Sequence, residues 1–168
     1  MDVSALVLEL YGRIGPLARD AVEGLDAQQL AESPRPGANT IAWLVWHIGR
    51  VQDHHIAQLL DEQQLWETGD WADRMDLERD PHNTGYGHNA KQVASIRPTD
   101  GEVLLDYLEA VSARTRTMLG TLQPGELDRI VDRRWDPPVT LGVRLVSVAD
   151  DGLQHAGQAA YVRGLLGY

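Results

Sequence analysis

Four stretches of this chain place apolar side chains every three or four residues, and no stretch alternates apolar and polar over the length of a useful strand. Residues 3–24 carry Val3, Leu6, Val7, Leu10, Ile14, Leu17 and Val22, with Leu25 just beyond. Residues 41–60 carry Ile41, Leu44, Val45, Ile48, Val51, His55 and Leu59. A third series runs through Val103, Leu104, Tyr107, Leu108, Val111, Met118 and Leu122. The fourth runs through Leu141, Leu145, Val148, Gly152, Ala156, Ala159, Val162 and Leu166. Each stripe must bury itself against the others, so the spacing predicts an all-α four-helix bundle with neither a β-hairpin nor a βαβ unit. The 168 residues suit one domain, 1–168, since a single core commonly serves about 100–200 residues.

The punctuation between the stripes refines this. Pro16 has no amide hydrogen and its ring crowds the carbonyl four residues back, which predicts a bend near Gly15-Pro16 in the first helix. Residues 33–37 read as a turn, with Asn39 or Thr40 capping the second helix, and Thr99-Asp-Gly-Glu102 reads as a capping box for the third. Pro124-Gly-Glu-Leu starts a short helical turn. Residues 63–98 break the pattern with Gly69, Pro81, Asn83, Gly85, Gly87 and Pro98 while supplying Trp66, Trp71 and Tyr86. An irregular excursion that long is expected to form a lid or pocket wall.

Composition removes several function classes. The 25 acidic against 15 basic side chains give a formal charge of -10, a field that repels phosphate backbones, so no nucleic-acid partner is expected. The chain has no cysteine, which excludes disulfides, thiolate metal sites and a cysteine nucleophile; any thiol chemistry must use a sulfur brought in from outside. No apolar run approaches the ~18–20 residues that cross a bilayer, and the first residues lack the pattern of a secretory leader, so a cytoplasmic protein without a membrane partner is expected. Lys91 is the one lysine among the 15 basic residues, an arginine bias of the kind produced by GC-rich bacterial genomes.

The chemistry-bearing anomaly lies in the fourth helix. Asp151 and His155 stand four apart, about 40° around the axis, on the same face as Val148, Ala159 and Val162. A carboxylate and an imidazole on an apolar stripe must be satisfied, because an unpaired buried charge costs several kcal/mol or more. His47 is the matching anomaly on the second helix, in Trp43-Leu-Val-Trp46-His47. One histidine from one helix and an Asp/His pair from another can place three ligands around a divalent cation and leave positions open for water or substrate. An ordinary buried Asp151–His155 hydrogen bond beside a satisfied core His47 is the competing reading. Arg144, seven residues before Asp151, shares its stripe and must either meet an anion, Asp151 included, or snorkel to the end of the bundle. His54 is placed to line a pocket mouth or a solvated face; His55 lies beside it, and His82 and His88 fall in the irregular segment, where surface positions are expected.

Other motifs fail. There is no Glu-x-x-His for a di-iron bundle, no His-Glu-x-x-His, no Gly-Lys of a phosphate loop and no Gly-x-Ser-x-Gly. Gly85-Tyr-Gly87-His-Asn-Ala90 matches a dinucleotide fingerprint in letters alone, since no strand precedes it.

Three features together resemble the DinB superfamily: Pro36-Gly-Ala-Asn-Thr-Ile-Ala-Trp43-Leu-Val-Trp-His47 opening the second helix, the spacing of about a hundred residues to the next ligand cluster, and Asp151-x-x-x-His155-Ala-Gly-Gln158 in the fourth helix. The resemblance implies a bundle in up-up-down-down order with a long crossover between the second and third helices, and a divalent metal, zinc being expected, held by His47, Asp151 and His155. The family's usual set is three histidines, so Asp151 stands where a histidine is usual. It further implies a thiol S-transferase of the bacillithiol or mycothiol kind, acting in detoxification, that joins a low-molecular-weight thiol to an electrophilic small molecule; the arginine bias favours mycothiol. Arg144, Trp43, Trp46 and His54 are the expected substrate contacts, and a homodimer is left open. A noncatalytic metal- and ligand-binding stress protein is the alternative, and a purely structural bundle with a dry polar triad a third reading.

Overall fold

A computed structural model describes residues 1–168. The first stripe forms α1 (Val3–Gly12) and α2 (Ile14–Val22), separated at Arg13. The break comes earlier than the Gly15-Pro16 position expected: Pro16 cannot donate to the Gly12 carbonyl and its ring crowds that oxygen, so the chain turns one residue after Gly12. A one-turn helix, α3 (Ala27–Leu30), leads to α4 (Ile41–Leu60), whose N-cap Thr40 accepts a hydrogen bond from the Trp43 amide at 3.1 Å. The crossover that follows holds three short helices, α5 (Leu65–Thr68), α6 (Trp71–Arg74) and α7 (Ala90–Ser95). It returns the chain to α8 (Gly101–Gly120), capped by Asp100 rather than by the Thr99 that the sequence suggests.

After a 3-10 turn at Pro124–Glu126, two short antiparallel strands, β1 (Ile130–Asp132) and β2 (Val139–Thr140), lead into α9 (Leu141–Leu166). This hairpin is one that the sequence pattern did not indicate, although the fold remains mostly helical. Three residues against two give no alternation for a sequence pattern to register.

Cross-helix contacts define the bundle. Ser4 Oγ at the start of α1 donates to the Leu119 carbonyl at the end of α8, so those helices are antiparallel. Tyr11 reaches Leu145, and Arg163 reaches the carbonyls of Asp20 and Glu23, so α1/α2 and α9 run in the same sense. Arg50 meets Tyr107 and Gln52 meets Thr115, which makes α4 and α8 parallel, while His47–Asp151 and His55–Arg144 make α4 and α9 antiparallel. The order is therefore up-down-down-up, a correction of up-up-down-down. The parallel consecutive pair is the second and third helices, and only the long crossover can carry the chain back over the full length of the bundle between them. The family's four-helix architecture and its long crossover stand. No helix is long and apolar enough to cross a membrane.

Candidate metal centre

The antiparallel packing of α4 on α9 sets His47 against Asp151 and His155 about midway along the bundle. His47 Nε2 and His155 Nδ1 each lie 3.7 Å from Asp151 Oδ1, the two imidazole rings are 4.6 Å apart, and one ligand atom from each residue falls within 4.8 Å of the others. His47 is buried; Asp151 and His155 are half-buried and reached from one side.

Both imidazoles are already committed at one nitrogen. His47 Nδ1 lies 2.5 Å from the Thr84 carbonyl oxygen, and His155 Nδ1 lies 2.8 Å from the Asp151 carbonyl oxygen. A carbonyl can only accept, so each Nδ1 carries the proton, and each Nε2 is left as the nitrogen with a lone pair to give. This is the outer arrangement that orients metal-bound histidines. Asp151 Oδ2 is buried and has no hydrogen-bond partner. A closed polar network would have satisfied it, whereas a cation would do so directly. The residues present therefore fit a divalent ion of the borderline class that takes nitrogen and oxygen ligands.

The crossover supplies the rest of the wall. Trp43 stacks on His47 with ring centroids 4.6 Å apart and donates from Nε1 to His88 Nδ1; His88 Nε2 then donates to Asn83 Oδ1 at 2.8 Å. Burial, and next His47, push the His88 pKa below its usual value. Gly85, at φ +92°, brings the backbone against His47 and the two indoles, where an added Cβ would lie 2.9 Å from His47 Nδ1.

Behind this, Arg50 is fully buried one turn beyond His47 on α4. It donates to the Asn83 carbonyl at 3.1 Å and the Pro81 carbonyl at 3.2 Å, stacks over Trp66, and shares Tyr107 with Asp53. Asp53 accepts from the amides of Leu65 and Trp66. One ion pair on α4 thus clips the start and the middle of the crossover to the helix that carries His47.

In front of His47 and Asp151 opens a cleft of about 460 Å³, lined also by His54, His55, His82, Thr84, Tyr86 and Arg134. His54 lines this cleft, as one of its two readings had it, while His82 and Tyr86 turn the irregular segment into a pocket wall. Trp43 flanks His47 and His155 from inside, and Trp46 is a core residue with its edge against Trp66. Arg144 does meet an anion, but it is Asp132 of the hairpin, at 3.0 Å, and not Asp151; its other amino group lies 3.5 Å from His55 Nε2. Burial, and next the Arg144 charge, push the His55 pKa down to about 4, and burial also lowers that of His54.

Sequence reasoning missed the Thr84 carbonyl, the Trp43–His88–Asn83 chain, the Arg50–Asp53–Tyr107 cluster and Arg134. Arg50 and Asp53 carried the one usable signal, a charged pair at i, i+3 on a helix otherwise read as core.

The model of the DinB superfamily matches residues 15–159 of the chain. A crystal structure of a conserved protein from Enterococcus faecalis is 30% identical, covers 98% of this chain and 97% of its own, and superposes with a TM-score of 0.91. The comparison with curated proteins returned no match.

Proposed function

Because the chain belongs to the DinB superfamily, we propose that it is a metal-dependent S-transferase that joins a low-molecular-weight thiol to an electrophilic small molecule. The observation that carries this reading is the convergence of His47, Asp151 and His155 at one side of an open cleft, with the Nδ1 protons of both histidines bound to carbonyls. His47 and His155 would hold the ion through nitrogen and Asp151 through oxygen; zinc is the ion we expect. Bound there, a divalent ion acts as a Lewis acid that brings a thiol with an ordinary pKa near 8.5 to its thiolate form at neutral pH.

The chain's own residues do the remaining work. The Thr84 carbonyl and the Trp43 ring hold the His47 imidazole at a fixed angle. The tryptophan wall keeps bulk water from the inner side of the site, so the reacting groups meet where electrostatic interactions are less screened. His54, uncharged at neutral pH because burial lowers its pKa, accepts at Nδ1 from Gln64 Nε2, so its Nε2–H can donate a hydrogen bond to a ligand in the cleft. Trp43 offers an apolar surface beside the metal residues, whereas Trp46 and Arg144 act through packing and through Asp132. The absence of cysteine fits a reaction whose sulfur arrives on a cosubstrate, and the arginine bias favours mycothiol.

The open cleft also separates this reading from a sealed storage or sensing site, and the partnerless Asp151 Oδ2 speaks against a dry polar triad. The test is thiol consumption against a model electrophile, with several low-molecular-weight thiols run in parallel on metal-loaded protein. Turnover that is lost when Asp151 and His155 are both replaced by alanine supports the proposal. No turnover with any thiol while metal still binds would leave the noncatalytic alternative.

A further inference from the structure

The hairpin that the sequence did not announce places an arginine at the cleft. Arg134 lies just beyond β1 and lines the same cleft as His47 and Asp151. Its guanidinium is held side-on by Asp132: Nε donates to Oδ1 at 3.0 Å and Nη2 to Oδ2 at 2.8 Å, while the Arg134 amide also donates to Oδ1 at 3.0 Å. Asp132 is at the same time the partner of Arg144, at 3.0 Å. One carboxylate therefore serves two guanidiniums and leaves one positive charge in excess. Hydrogen bonds from Arg134 hold the Asp132 carboxyl well below the usual carboxylate range, so it stays charged.

Two further observations give that excess a direction. Arg134 is 78% exposed although its fork is anchored, so the edge carrying Nη1 remains free for a ligand at fixed orientation. The only carboxylate lining the cleft is Asp151, which a divalent cation would more than neutralise. The lining then carries a net positive charge in a chain whose formal charge is -10, and such a contrast concentrates small anions at the positive cleft.

We propose that the cleft takes a carboxylate-bearing ligand, and that Arg134, aligned by Asp132, is the residue that recognises the carboxylate. This rests on the proposed function for its metal but adds the chemical class of what enters. Arg134 is a specificity residue and needs no part in the bond-forming step.

The experiment measures calorimetric affinities of the zinc-loaded chain for three probes: succinate, thioglycerol and mercaptosuccinate. Arg134→Gln removes the charge at an exposed position, and its melting temperature and metal content report that the fold and site are kept. In the unsubstituted protein, mercaptosuccinate should bind about tenfold more tightly than thioglycerol, the size expected for one added charge-assisted contact. In Arg134→Gln that preference should vanish while thioglycerol binding is unchanged, and succinate should weaken likewise. Arg134→Lys, which keeps the charge and loses the fork, should fall between. Succinate and thioglycerol bound together would put the carboxylate on the second substrate; mercaptosuccinate bound far more tightly than either would put it on the thiol.

Affinities for succinate and mercaptosuccinate that ignore the substitution overturn the proposal and leave the thiol reading standing. Arg134-dependent succinate binding with no binding of thioglycerol has the opposite meaning: the carboxylate site holds and the thiol reading fails.

Discussion

His47 and Thr84 lie 37 residues apart in sequence and meet at 2.5 Å, ring Nδ1 to backbone oxygen. That contact selects the tautomer whose Nε2 can bind a cation, so the competence of the α4 ligand is decided by the crossover and not by α4 itself. The candidate metal centre is in this respect built by three chain segments, two helices and one loop.

Gly85 tests the loop's share. An added Cβ would meet His47 Nδ1 and the Trp46 ring at 2.9 Å, and the φ of +92° is one that L side chains rarely adopt. Gly85→Ala should displace the Thr84 carbonyl and weaken metal binding about tenfold or more, while also costing about 1–3 kcal/mol of stability. Zinc titration calorimetry and chemical denaturation read the two effects separately.

The buried pair on α4 is expected to matter more for stability. Arg50→Met leaves Asp53 short of one partner, frees the Asn83 carbonyl and leaves the Pro81 carbonyl with Gln64 as its remaining donor, so a loss of about 3–5 kcal/mol is expected. Tyr107→Phe removes one donor to Asp53 and should cost about 1–3 kcal/mol. Urea denaturation curves check both. If the clip holds the crossover as described, Arg50→Met will also expose residues 80–84 to faster amide exchange, with α8 less affected.

Acid should destabilise the metal-free protein through His55. Its pKa is lowered from 6.5 to about 4 by burial, so between those values the unfolded chain binds a proton that the folded chain does not. Stability from this group is complete above pH 6.5, declines through that window and is gone below about 4, a change of about 3 kcal/mol. His55→Gln should flatten the stability profile between pH 6.5 and 4, as measured by denaturation across that range without metal.

How far the sequence led can be seen residue by residue. Helices 41–60 and 141–166 were legible because their apolar stripes have the helical period and because Thr40 starts the first with a cap. The clustering of His47, Asp151 and His155 was legible because polar groups on such stripes demand an explanation. The direction of the helices was not legible, since a periodic pattern reads the same in either sense and only the lengths of the connections distinguish them. The Asp132–Arg134 pair was invisible for another reason: a two-residue separation across the end of a three-residue strand carries no periodic signal. Arg144 was legible only as a choice between meeting an anion and snorkelling to the bundle end, because the anion it meets belongs to a hairpin with no sequence signal.

The central claim is that His47, Asp151 and His155 hold one divalent ion that binds the sulfur of a thiol. Cobalt in place of zinc gives the most direct test, because a thiolate bound to cobalt shows a sulfur-to-metal charge-transfer absorption in the near ultraviolet. On titrating thioglycerol into the cobalt-loaded chain, the band is expected to grow to one thiol per chain, and to be absent from the Asp151→Ala/His155→Ala protein, which should not retain the metal. A chain that binds cobalt tightly yet shows no such band at saturating thiol would contradict the account, as would unchanged metal content in the double variant.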